Sequence, residues 1–206
     1  MYFIVVVILI MITLFLINSK LISNFRDAHK RTFEFFISLI STFTGFFIAL
    51  SISTILSDIN QKKNLVKLLT ATNLSIESST MRTQGMYLNP AKNGADLNEI
   101  IEHAPVEMPK LYNNLESNSL VSDYFSSNAF QAYILCSDTM EIFVTNANAT
   151  NLSADKKTVI LEKYLKYLNL AKQINVLEIS KLNGDISQSD EDVEIKKLTQ
   201  EINSNN

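Results

Sequence analysis

Few residues in this sequence are able to carry out acid–base, nucleophilic or metal chemistry. There are two histidines, His29 and His103, and a single cysteine, Cys136. Glu99 and His103 are four residues apart, a spacing that places two side chains on one face of a helix, where they could begin a metal site. No second cluster of His or Cys completes such a site, so we interpret the pair as a surface contact at a helix end.

The remaining chemical signals are also weak. Cys136 follows the apolar run Tyr133-Ile134-Leu135, which predicts a small core residue. With four glycines in the chain, there is no Gly-rich phosphate loop and no nucleophile elbow. We therefore predict a protein that is not an enzyme and that has no catalytic, cofactor or metal residues. No broad basic face predicts a nucleic-acid partner.

Charge is distributed very unevenly along the 206 residues. Residues 1–57 hold six charged side chains, all between Lys20 and Glu34, and residues 58–206 hold the other 33, with a net charge of −5. Two long stretches near the N-terminus are therefore free of charge. This pattern predicts a membrane region at 1–57, followed by a mildly acidic domain large enough for one core.

The two charge-free stretches predict two transmembrane helices. Tyr2–Ile17 is apolar apart from Thr13, and with its polar flank it predicts a first span over residues 2–19. A secretory signal peptide is the alternative, but the chain lacks a basic residue before the apolar run and a small-residue cleavage site after it. Residues 35–57 give roughly 34 Å as a helix, enough for a second span across the lipid bilayer.

Small residues recur at every fourth position on one face of the second span. They are Ser41, Gly45, Ala49, Ser53 and Ser57, which we call the small-residue stripe. Because lipid provides little hydrophobic drive between helices, small side chains matter there by letting backbones approach closely. The stripe predicts helix packing, either against the first span or between several copies of the chain around a polar centre.

A long amphipathic helix is predicted beyond the second span, and we call residues 58–82 the stalk. No Gly or Pro occurs between Phe46 and Thr83, so one helix can continue from the membrane into water. A seven-residue pattern, in which Asn73 occupies the remaining core position, predicts stalk packing through four residues: Ile59, Val66, Leu69 and Ile76. A helix on the membrane surface is the alternative, but it would need more basic residues.

Helical signals dominate the rest of the chain. Asp96, Ser126 and Ser153 predict helix N-caps, and Gly184 predicts the end of a long helix. We therefore predict an all-α fold, with two transmembrane helices, the stalk and a helical bundle that together with the stalk spans 58–184. Residues 185–206 are polar and predict a disordered tail, although four apolar residues would allow a marginal helix: Val193, Ile195, Leu198 and Ile202.

One segment resembles a broad group of small bacterial two-span membrane proteins. It runs from Thr42 to Leu50, with a Phe-x-Gly-x-x-x-Ala-Leu core, and continues into a charged helix containing Asp58, Lys62-Lys63 and Leu68-Leu69. In that group a span leads into a helical domain of unknown function, and some members act as membrane effectors in anti-phage defence. The resemblance implies a bacterial inner (plasma) membrane protein whose C-terminal domain is cytoplasmic.

Charge alone does not assign the sidedness of the membrane. Four basic residues in the connecting loop, Lys20, Arg26, Lys30 and Arg31, face four positive groups on the other side, namely the N-terminal amine, Lys62, Lys63 and Lys67.

Together the patterns predict a membrane-anchored homo-oligomer that perturbs the membrane or forms a pore, regulated through its helical domain by a protein partner or a ligand. The alternative is a passive anchor or accessory subunit that docks a partner protein or complex.

Overall fold

The computed structural model describes residues 2–18 and 29–204. Over these residues the chain is helical and contains no strand, which confirms the predicted all-α class. The connecting-loop residues Lys20 and Arg26, used above to weigh sidedness, lie outside the described residues.

The helices follow one another with short connections. They are α1 (Tyr2–Asn18), α2 (Lys30–Arg82), a π-helical segment (Thr83–Leu88), α3 (Asn89–Lys92), α4 (Leu97–His103), α5 (Asn113–Glu116), α6 (Ser119–Tyr124), α7 (Ser127–Asn148), α8 (Ala154–Asn183) and α9 (Gln188–Ser204). The chain divides into two compact units, Met1–Gln61 and Lys62–Asn206, and α2 continues across the boundary as one helix.

The first unit contains the apolar sequence. Within the described chain, one helix is long and apolar enough to cross a membrane by length and composition, and it is the helical run Lys30–Lys92. The most apolar part of that run is not buried against other residues of the chain. Helix α1 has 17 residues and no charged side chain, and its role as a first span stays a prediction.

The stalk packs into the second unit, but along a different line from the predicted heptad. The buried positions of α2 are Leu65, Leu69, Thr72 and Ile76. Of the four predicted packing residues, Leu69 and Ile76 are buried, Val66 is half-buried, and Ile59 is 41% exposed. The register of the prediction was wrong at Ile59, because a straight helix of about 3.6 residues per turn drifts by roughly 20° per heptad away from a 3.5-residue seam.

Polar contacts add to this packing. The Asn175 side-chain amide of α8 donates to Asn73 Oδ1 at 3.0 Å, and Asn175 is fully buried. Lys172 Nζ lies 2.6 Å from Glu77 Oε1. The polar core position recognised at Asn73 is therefore matched by an amide on the facing helix.

Local signals set most of the helix boundaries. Asp96 and Ser126 are N-caps whose side chains accept hydrogen bonds from the amides of Asn98 and Ala129, at 2.9 and 3.1 Å. Gly184 ends α8 with a φ of 82°, a left-handed conformation that glycine adopts without a steric penalty. Ser153 occupies the N-cap position of α8, although its side chain makes no capping bond.

The core of the second unit lies among α7, α8 and the segments that precede them. Tyr112 and Tyr133 stack with ring centroids 4.3 Å apart, and each hydroxyl donates to the other residue's backbone carbonyl. Cys136 is fully buried beside them on α7, and burial raises the pKa of its thiol to about 12. Cys136 is therefore a core residue, as its apolar neighbours predicted.

The polar C-terminal segment is helical. Residues 188–204 form α9, which packs on α7 and α8 and buries Ile195 and Ile202 completely. The Tyr167 hydroxyl of α8 donates to the carbonyl of Ile202 at 3.1 Å. The predicted disorder of 185–206 was therefore wrong over these residues, because two well-spaced apolar anchors are enough to order a polar helix on an existing bundle. Residues 205–206 lie outside the described residues.

Candidate functional site: the small-residue stripe and a cavity at the end of the stalk

The small-residue stripe lies on an exposed face of α2. All five of its residues are exposed, and a Cβ atom added at Gly45 would meet no described atom within 4 Å. The structure therefore brings the stripe together on one face but places no part of the described chain against Gly45.

Neighbouring hydroxyl groups on the same helix are satisfied internally. The side chains of Thr44 and Ser51 each donate to the carbonyl four residues earlier, those of Ile40 and Phe47, at 2.8 Å. Thr42 and Thr54 do the same at 2.9 Å. This arrangement suits an apolar solvent, since a polar group that finds no water there must be paired within the protein.

A second feature is a cavity of about 310 Å³ where α2 gives way to the π-helical segment. We call it the stalk-end cavity. One wall is the last two turns of α2, and the other is the loop from Val106 to Lys110. A π-helical turn inside an α-helix is uncommon and is frequently found at functional sites. This one contributes Thr83 and Tyr87 to the cavity.

Two cationic side chains and one carboxylate line the stalk-end cavity. Arg82 Nη1 donates to Glu107 Oε2 at 2.7 Å, and Nη2 lies 3.4 Å from the carbonyl oxygen of Pro105. The hydrogen bond to Glu107 raises the pKa of Arg82 further above neutrality. Lys110 is exposed and forms no ion pair with the described residues. The lining therefore carries a net positive charge.

Hydroxyl groups surround these charges. Ser75, Ser78, Ser79 and Thr83 follow one face of the helix at spacings of three and four residues, and all four line the cavity. The Ser75 hydroxyl lies 3.5 Å from the amide of Leu111. Ser78 is exposed, so its hydroxyl group is available to a ligand.

The loop that forms the other wall is held in place from three sides. The side-chain amide of Asn148 pairs with Val106, accepting from its N–H and donating to its carbonyl, both at 2.9 Å. The hydroxyl of Tyr164 donates to the carbonyl of Glu107 at 3.0 Å. The hydroxyl of Tyr87 contacts the carbonyls of Ala104 and Pro105 at 3.0 and 3.1 Å. The cavity is thus pre-formed, which reduces the entropy lost on binding.

Sequence reasoning missed a buried ionic cluster that anchors α9. Lys181 Nζ lies 2.5 Å from Glu178 Oε2 and 3.4 Å from Glu191 Oε1, and both carboxylates are fully buried. Lys181 also donates to the carbonyl of Tyr124 at 3.1 Å, and the amide of Ser126 donates to Glu178 at 3.2 Å. Burial, together with the nearby Glu191, raises the pKa of Glu178 to about 8, although Lys181 opposes the shift.

That cluster had no recognisable signal in the sequence. Glu178 and Lys181 resemble an ordinary surface pair on a helix, and Glu191 stands inside the acidic run Asp190–Asp192. Only the packing of α9 onto α8 removes them from water. Because the carboxylates are inaccessible, the cluster is a structural element of the fold and offers no place for a substrate.

The residues first considered for chemistry remain apart from these features. His103 is exposed, and its Nδ1 donates to the backbone carbonyl of Glu99 at 2.9 Å instead of contacting the carboxylate. Within the described residues, no three of His, Cys, Asp and Glu are arranged to hold a metal ion.

Comparison with known proteins gives no match. No protein-family model, no curated protein and no solved structure matches this chain.

Proposed function

We propose that this chain is a membrane-anchored, self-associating protein that acts as a membrane-perturbing or pore-forming effector and is regulated through its helical domain. The observation that carries the proposal is the small-residue stripe, which is fully exposed on the one described helix apolar enough to cross a membrane. Close helix approach in lipid depends on such residues. A second copy of the same helix would cover the stripe.

The helical continuity of α2 supports regulation. The apolar half, the stalk and the π-helical segment follow one another in sequence with no intervening loop. A change at the domain end of this run can therefore act on the same secondary-structure element that carries the stripe.

The stripe is tested by the double substitution Gly45→Leu and Ala49→Leu in the full chain. We expect native mass measurement in mild detergent to show an oligomer for the parent and a monomer for the variant, because branched side chains block close backbone approach. Dye leakage from liposomes should fall in parallel. The matched control is Phe36→Leu with Phe43→Leu, which also introduces two leucines but on the opposite face of α2. A parent protein that is monomeric and does not cause leakage would overturn the proposal.

A passive anchor that docks a partner protein is the second candidate. It is favoured by Leu74 and Met81, which lie seven residues apart on one face of the stalk and are 63% and 68% exposed. In that case the stripe substitutions should be silent, whereas Leu74→Ser with Met81→Ser should abolish recovery of a partner by affinity purification from membranes.

The proposed location is the bacterial plasma membrane, with two spans and the helical domain in the cytoplasm. Protease added to spheroplasts should then leave the domain intact and should degrade it only after the membrane is opened. Degradation in sealed spheroplasts would reverse the assignment.

A further inference from the structure

We propose that the stalk-end cavity binds a small phosphorylated molecule through Arg82 and Lys110. Binding itself is independent of the membrane, whereas a regulatory consequence of binding rests on the proposed function. Phosphate is the chemistry named here, and it could come from a free metabolite or from a lipid headgroup.

The charges of the cavity select an anion. Arg82 and Lys110 outnumber Glu107, and the guanidinium group already holds an oxyanion, the Glu107 carboxylate, at 2.7 Å. This internal contact shows that Arg82 is presented in the geometry that carboxylate and phosphate oxygens require. Both partners are substantially exposed, so their pairing is worth little and a ligand can replace it.

Displacement of Glu107 matches the charge of a phosphate monoester. With Glu107 turned into solvent, Arg82 and Lys110 provide two positive charges, and a phosphate monoester carries nearly two negative charges at neutral pH. Serine hydroxyls on the same wall, at Ser78 and Ser79, supply the neutral donors that commonly accompany a cation at phosphate sites.

The size of the cavity favours an organic phosphate over the free ion. About 310 Å³ lies at the lower end of the range for small-molecule pockets. The phosphate group would occupy the end at Arg82 and Lys110, and the remaining volume, beside Val106 and Met108, would hold a small organic part.

The experiment is a titration of the full chain in detergent micelles by isothermal calorimetry at low ionic strength. The probes are inorganic phosphate, ribose 5-phosphate, glycerol 3-phosphate as the headgroup mimic, and unphosphorylated ribose. We expect the three phosphates to bind, the two esters more tightly than inorganic phosphate, and ribose not to bind. Whichever ester binds more tightly identifies a metabolite or a lipid headgroup as the source.

Three variants test the residues. Arg82→Gln should weaken binding at least about tenfold and Lys110→Gln about three- to tenfold, since each removes a charge-assisted contact. Glu107→Gln should strengthen binding severalfold, because it removes the competing carboxylate. The control Lys92→Gln, an exposed lysine near Glu162 and outside the cavity, should leave affinity unchanged.

Two results overturn the inference: no calorimetric binding of any phosphate, or binding that Arg82→Gln and Lys110→Gln leave unchanged while thermal unfolding shows both variants folded. Because Glu107→Gln keeps both cations and requires a gain in affinity, the proposal stays testable even if Arg82→Gln does not fold. None of these readouts depends on oligomerisation or leakage, so failure here is distinct from failure of the proposed function.

Discussion

Helix α2 contains two regions with similar side chains and opposite surroundings. Between residues 35 and 57 its aromatic and aliphatic side chains are mostly exposed, with Phe35, Phe36 and Phe43 each more than half accessible. Between 62 and 82, Leu65, Leu69 and Ile76 are completely or almost completely buried.

The difference shows that side-chain type does not decide the solvent of a helix. The second region obtains its apolar surroundings from its own chain, through the core that it shares with α7 and α8. The first region exposes a continuous apolar surface far larger than isolated soluble proteins normally show. It therefore has to obtain its surroundings from outside the described chain, which is the physical basis of the proposed membrane anchor.

The largest expected effect contrasts one leucine from each region. Leu69→Ala should lower the free energy of unfolding of the second unit by about 2–5 kcal/mol, because it removes buried methyl groups and leaves a cavity. The matched substitution Leu39→Ala in the exposed region should change it by less than about 0.5 kcal/mol. Urea titration in mild detergent, followed by tyrosine fluorescence, measures this directly, since every tyrosine except Tyr2 lies in the second unit. Equal losses for the two variants would show that the regions do not differ as described.

The second prediction asks whether the interior of the second unit rejects charge as a lipid environment would. Burial raises the pKa of Glu178 from an ordinary value of 4.5 to about 8, even with Lys181 on one side and Glu191 on the other. A carboxyl group whose folded-state pKa is raised stabilises the fold fully below pH 4.5, and this stabilisation is lost as the pH rises to 8. Thermal unfolding between pH 5 and 9 should therefore show a decline in Tm.

Two variants separate this effect from general titration. Glu178→Gln removes the ionisation and should flatten the decline between pH 5 and 8. Glu194→Gln, at an exposed carboxylate on α9 that pairs with Lys197, should keep the parental slope. A slope that is the same in all three proteins would refute the assignment of the decline to Glu178.

The smallest effect concerns the two ends of the predicted stalk pattern. Ile76→Val should cost about 0.5–1.5 kcal/mol because Ile76 is 1% exposed. Ile59→Val should cost less than about 0.5 kcal/mol, since Ile59 lies outside the second unit and is largely exposed. The urea titration described above resolves the difference, and a larger loss at Ile59 would restore the heptad register that the structure rejects.

Local features of the sequence were read correctly because they depend on neighbouring residues alone. The charge-free run that forms the apolar part of α2, the N-caps at Asp96 and Ser126, and the end of α8 at Gly184 all follow from short patterns. Each of these is a backbone or solvent preference that does not require knowledge of which helices meet. The helical class of the protein follows from them.

The tertiary structure alone decided how those helices are used. Burial of Leu65 and Thr72 in place of Ile59, ordering of α9 and removal of Glu178 and Glu191 from water all depend on which faces come together. The stalk-end cavity depends on the same assembly, because Arg82 and Lys110 are separated in sequence and meet only when the loop folds back onto α2. Sequence therefore determined the helices and their apolar stretch, and packing determined the buried register and the site.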